Sequence, residues 1–291
     1  MSEQKYYLPE PSYWPLIGSI GLFVSLFGFA NALDPAGPVG NLTLMYIGFA
    51  IVVFMMFGWF GTVIRESESG KYNSQVDTSF RMGMMWFIFS EVMFFAAFFG
   101  ALFYARQLSI PWLAGEGNNA STNMFLWNGF AENWPLLNSP DAEKYPAPTG
   151  VIAASGLPLL NTILLLSSSV TVTFAHHALK KEQRGKLNFW LFVTVALGFT
   201  FLGVQIYEYA HAYTDLNLKL SSGIYGTTFF MLTGFHGAHV TIGATILTVI
   251  LIRCIKGHFT PKNHFGFEAA AWYWHFVDVV WVGLFIFVYW L

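Results

Sequence analysis

Residues 80–105 read FRMGMMWFIFSEVMFFAAFFGALFYA. The stretch is almost wholly apolar and exceeds the about 20 residues of helix that cross a bilayer. It nevertheless carries one carboxylate, Glu91, near its midpoint. A charge at the bilayer centre costs at least about 2.5–3.5 kcal/mol on insertion scales. Glu91 is therefore expected to be neutral, paired or turned to a polar interior. An acid in such a place is a candidate functional group.

The rest of the chain fits that reading. Of 291 residues, 55% are hydrophobic, 19% aromatic and 10% charged, whereas a soluble domain has roughly 25% charged residues. This composition predicts an all-α, multi-pass membrane protein. The formal net charge of −2 gives no reason to expect nucleic acid as a partner. Cys254 stands alone, which rules out an internal disulfide, a CxxC pair and an all-Cys metal cluster. The start, MSEQKYYLPEPSYWP, lacks the basic-then-apolar order of a cleaved signal. Insertion is expected to rely on the spans themselves.

Seven spans are expected, near 16–34, 41–64, 80–105, 153–176, 187–212, 223–255 and 268–290. The first follows Pro15, and DPAGPVGN (34–41) reads as a turn, so the first two should form an antiparallel hairpin. Segment 106–150 is polar and rich in Gly, Asn, Pro and Ser. Its Trp112, Trp127 and Trp134 suggest that part of it lies at the membrane surface. Lysine and arginine divide 11 to 3 between the two sets of span ends. Arg65, Lys180, Lys181, Lys186 and Arg253 belong to the rich set, which the positive-inside rule places inside, with the N-terminus. The C-terminus then lies outside. Gly223, Gly226, Gly234, Gly237 and Gly243 along span six are expected to form a packing face.

Eight histidines raise the question of a metal. His176 and His177 are adjacent, and about 100° apart on a helix they do not share an ion easily. His236 and His239 lie three apart in span six, and His275 and Asp278 do the same in span seven; two such pairs could supply a site. A haem-copper core needs several mid-membrane histidines, and a di-iron membrane enzyme needs dense histidine boxes. This chain has neither, and no metal is expected. His236 or His239 is instead the expected partner of Glu91, since a Glu–His hydrogen bond would offset much of the burial cost. Glu208 and His211, three apart, sit at the outer end of span five. Arg253, Lys256 and His258, at the inner end of span six, could hold lipid phosphate or simply enforce topology.

Several stretches, taken together, resemble the subunit III family of cytochrome c oxidases. They are PSYWPL (11–16), VIRES (63–67), FSEVMFF (89–95), PLLNTILLLSSSVTVTFAHHAL (158–179), YGTTFF (225–230), TGFHGAHVTIG (233–243) and HFGFEAAAWYWHFVDVVWVGLFIFVYW (264–290). They run in the family's order from near residue 11 to the end.

The resemblance implies a two-helix bundle (1–79) and a five-helix bundle (80–291) separated by a lipid-holding cleft. It implies no catalytic residue and no cofactor in this chain beyond bound phospholipid, with haem a and copper in partner subunits. The family's carbodiimide-reactive carboxylate falls on Glu91. Its lipid contacts fall on Trp59, Glu66, Arg253 and His258. The implied partners are oxidase subunits I and II, membrane phospholipid and, indirectly, cytochrome c. The implied function is to stabilise subunit I, retain lipid and support proton uptake in a respiratory, proton-translocating oxidase. A quinol oxidase subunit, a nitric-oxide-reductase accessory protein and a free-standing proton-coupled transporter are the alternatives. Two features depart from the family pattern. Segment 106–150 is longer than in the mitochondrial form, which favours a bacterial inner membrane over the mitochondrial one. GVIAASGL (150–157) also replaces the usual polar residues before PLLN.

Overall fold

The computed structural model describes residues 7–33 and 41–291. Lys5 and most of the expected turn (34–40) lie outside the described residues. The helices are α1 Trp14–Leu33, α2 Thr43–Glu68, α3 Ser74–Tyr104, α4 Ile110–Leu113, α5 Ala120–Leu126, α6 Leu157–Lys180, α7 Arg184–Thr214, α8 Gly223–Ile255 and α9 Phe265–Leu284. No strand occurs among the described residues. Among the described residues, seven helical segments are long and apolar enough to cross a membrane.

Most of them run past the apolar stretch that announces them, because helix continues into polar flanks where water satisfies the last backbone groups. The third differs most from expectation. It runs from Ser74 to Leu113, passing through a wide, π-type turn at Ala105–Ser109. Pro111 explains that turn. Its ring would clash with a carbonyl four residues back in a regular helix, and a π-type turn makes room. The first part of the expected loop 106–150 is therefore helical.

The chain divides into two compact units, Met1–Phe80 and Arg81–Leu291. In the first, Gly18, Gly21, Ser25, Gly28 and Ala32 recur in steps of three and four, the spacing of a helix–helix seam. Gly18 faces Met55, Gly21 faces Val52 and Gly28 faces Met45, so α1 and α2 are antiparallel. A Cβ at Gly28 or Gly48 would land on the opposite backbone. Small residues allow this closeness, which drives helix association where lipid is as apolar as the helices.

In the second unit, α6, α7, α8 and α9 form a ring in which each packs on the next and α9 closes on α6. Trp274 and Trp281, seven apart on α9, are fully buried. Their indole N–H groups donate to Ser168 Oγ (2.8 Å) and Thr162 Oγ1 (2.9 Å) of α6. Trp274 also fills the space left by Gly198 of α7 and Gly243 of α8. The expected glycine face of α8 is thus real at Gly243, whereas nothing approaches Gly237. The α3 helix joins this ring through rings: Phe94 meets Phe235 at 5.1 Å and Phe87 meets Tyr273 at 6.1 Å.

Candidate functional site

Glu91 of α3 and His239 of α8 are brought together. Glu91 Oε2 lies 2.9 Å from His239 Nε2. The other ring nitrogen, Nδ1, is 2.6 Å from the Phe235 carbonyl one turn back on α8. A carbonyl only accepts, so Nδ1 carries a proton. Two arrangements remain: a neutral acid donating to bare Nε2, or an imidazolium donating to a carboxylate. Both hold one shared proton, and both leave the pair without net charge. Phe95 packs edge-on to the imidazole at 4.9 Å and Tyr273 stacks at 6.5 Å. The insertion cost that singles out Glu91 is met by this neutrality.

His236 does not partner Glu91. Its Nε2 donates to Val277 O at 3.2 Å, and its ring lies 5.1 Å from that of Trp281. Three residues turn a helix through 300°, leaving the two imidazoles about 60° apart. That angle sends His236 into the ring of helices and His239 toward α3.

The pairs 236/239 and 275/278 do not converge either. His275 Nδ1 is hydrogen-bonded to Ser169 Oγ and lies 4.0 Å from Asp278 Oδ2. Among the described residues, the group able to hold a metal ion is His176, His264 and Glu268, whose ligand atoms lie within 4.8 Å of one another. His264 Nδ1 donates to Thr260 O (3.1 Å), which leaves Nε2 facing Glu268 Oε1 at 3.2 Å. His176 Nε2 is 3.5 Å from the same oxygen. Two imidazoles and a carboxylate form a zinc-type donor set. Here Arg81 pairs with the other oxygen of Glu268, so the carboxylate charge is already balanced and the four side chains read as an ion cluster. The i,i+4 spacing of His264 and Glu268 was the sequence signal for half of it. His176 is too distant in sequence to be foreseen.

Glu208 and His211 part company. His211 Nδ1 is 2.6 Å from Asp215 Oδ2. Glu208 is fully buried, and its Oε1 accepts from Gln205 (3.0 Å) and Tyr289 (2.6 Å). Asn161 donates to Gln205 at 3.3 Å, extending the network to α6. Sequence reading missed this second intramembrane acid network, although Gln205 and Glu208, three apart, hinted at it.

The implied lipid contacts form two local pairs, one on each unit. Trp59 and Glu66 are seven apart on α2 and so share one face. Tyr72 donates to Glu66 Oε2 at 3.1 Å. Burial, then that bond, pushes the Tyr72 hydroxyl pKa up, so it stays a donor. Arg253 lays its guanidinium over Phe259 at 4.4 Å. The His258 N–H donates to Arg253 O at 3.1 Å.

The family described as cytochrome c oxidase subunit III matches residues 4–117 and 123–291 of the chain. Three similar proteins bear the name cytochrome c oxidase subunit 3. That of Marchantia polymorpha is 41% identical over 286 residues, covering 98% of this chain and 96% of its own. That of Homo sapiens is 39% identical over 288 residues, with the same coverage. That of Tetraodon nigroviridis is 38% identical over 288 residues, again with the same coverage.

Proposed function

The chain belongs to the cytochrome c oxidase subunit III family and is a multi-pass subunit of that proton-pumping oxidoreductase complex, and we propose that it serves there without redox chemistry of its own. In this reading it stabilises subunit I, retains phospholipid and supports proton uptake. Its direct partners are subunits I and II and membrane lipid, with cytochrome c acting through them. Its lysine- and arginine-rich ends face inside. The length of segment 106–150 supports a bacterial inner membrane, and residues 118–122 of that segment fall outside the family match.

The commitments of the histidines support placing haem a and copper in the partner subunits. His236 is spent on Val277 O, His239 on Glu91 and Phe235 O, and His275 on Ser169. Lipid retention in this reading rests on Trp59 and Glu66 in the first unit and on Arg253 and His258 in the second.

The observation that carries the proposal is the one-proton Glu91–His239 pair. It holds a proton inside the membrane with no redox ligand beside it. Glu91→Gln in the assembled oxidase should abolish carbodiimide labelling of this chain and leave oxygen reduction largely intact. Loss of all oxygen reduction in a fully assembled Glu91→Gln complex would overturn the proposal.

A further inference from the structure

We propose that the groove between the last turns of α6 and the first turns of α7 binds the headgroup of an anionic phospholipid, at a site separate from Trp59, Glu66, Arg253 and His258. The groove has a volume of about 260 Å³. Two stripes of side chains line it. Phe174 and His177 of α6 and Lys181, which caps it, stand at i, i+3 and i+7; on α7, Lys186 and Trp190 stand four apart. Each stripe runs from aromatic to cationic toward the same end of the bundle. Seven helical residues rise about 10 Å, so the mouth is basic while the depth is aromatic. The rings of Phe174 and Trp190 meet edge-on at 5.2 Å and close the floor.

The turn between the helices sets this geometry. Gln183 N–H donates to Ala178 O at 2.9 Å and Glu182 N–H to Leu179 O at 3.0 Å. This capping satisfies the last carbonyls of α6 and brings α7 directly alongside. The start of α7 turns the positive end of its dipole toward the mouth. Arg184 faces away, donating to Phe259 O. Glu182, the acid of this turn, is not among the lining residues. Among the described residues, no carboxylate lies within ion-pair distance of His177, Lys181 or Lys186.

Cations at span ends often do no more than fix topology. What they do not require is an aromatic-floored groove beneath them. A free phosphate would use the cations and leave that floor empty. A phospholipid uses both, headgroup at the mouth and acyl chain over Phe174 and Trp190, as basic pockets between spans do for anionic lipids.

The test uses the purified oxidase complex in nanodiscs of equal phosphatidylglycerol and phosphatidylcholine, followed by detergent exchange and native mass spectrometry of retained lipid. Lys181→Gln with Lys186→Gln should lower the occupancy of one phosphatidylglycerol per complex roughly 10–30-fold and leave phosphatidylcholine unchanged. Phe174→Leu with Trp190→Leu keeps the charges and should also lower retention. Lys144→Gln with Lys219→Gln removes the same charge elsewhere and should not. Unchanged retention in the first variant, or equal loss in the Lys144/Lys219 control, would overturn the proposal. Displacement of phosphatidylglycerol from the wild-type complex by inorganic phosphate would reassign the groove to a soluble anion. Arg253→Ala with His258→Ala should leave this lipid in place, so failure here is distinguishable from failure of the cleft-lipid reading.

Discussion

His239 spends both ring nitrogens, and that accounting makes the pair with Glu91 neutral. Glu91→Gln keeps an amide N–H for Nε2 to accept, so it should cost under about 1 kcal/mol. His239→Ala leaves Glu91 among aromatic rings with no partner and should cost about 1–3 kcal/mol. Thermal dissociation of the chain from the complex measures both; equal midpoints would mean that the pair adds nothing. The need for a partner was legible in the sequence, because an intramembrane acid is costly. The choice between His236 and His239 was not, because it turns on about 60° of helix rotation. Asp215 gives a second residue-scale prediction. Its hydrogen bond from His211, then one from Thr214, holds its carboxyl below the usual range. The stability it contributes is complete above the ordinary carboxylate value of about 3.9 and is lost as pH falls through the lowered folded value. Thr149 N–H donates to neighbouring Leu216 O at 2.8 Å. Asp215→Asn should therefore speed exchange of that amide at neutral pH, and the difference from wild type should vanish in acid. A difference that persists in acid would contradict the assignment.

At the scale of elements, the α1–α2 seam and the α6–α7 turn make opposite demands on glycine. A methyl group at Gly48 would land on the Ser25 backbone. Gly48→Ala should destabilise the hairpin by about 1–3 kcal/mol, despite a helix-propensity gain of up to about 1 kcal/mol. Nothing lies near Gly61, so Gly61→Ala should keep that gain. Glu182 adopts φ 57 at the end of α6, a backbone that costs a side-chain-bearing residue about 1–2 kcal/mol. Glu182→Gly should relieve most of that. Thermal unfolding of the three variants checks the signs. The three–four spacing of small residues on α1 was open to reading from sequence. On α8 the glycine pattern overstated the packing, because spacing alone does not say which glycine meets a tryptophan.

At the scale of the molecule, seven spans were legible because length and apolarity suffice to announce a helix in a membrane. Their arrangement was not. The last span, Phe265–Trp290, is the most buried of those described, yet its mean hydropathy of 1.6 is no higher than that of its neighbours. Lipid-facing and core-facing residues are equally apolar in a bilayer, so hydropathy cannot rank spans by depth. The ring is ordered instead by Trp274 and Trp281 and the hydroxyls that receive their N–H groups. The ion cluster of Arg81, His176, His264 and Glu268 and the network around Glu208 were hidden for the same reason: their members come together only once the ring has closed. The central claim is that this chain acts on its partners and not on oxygen. Its most direct test is to remove the chain from the purified oxidase while keeping haem and copper at full occupancy, and to follow oxygen consumption from the first turnovers. The initial rate should be substantial, decay faster than in the intact complex and recover its lifetime when the chain is restored. A depleted complex that is inactive from the first turnover, with its haem and copper intact, would contradict it.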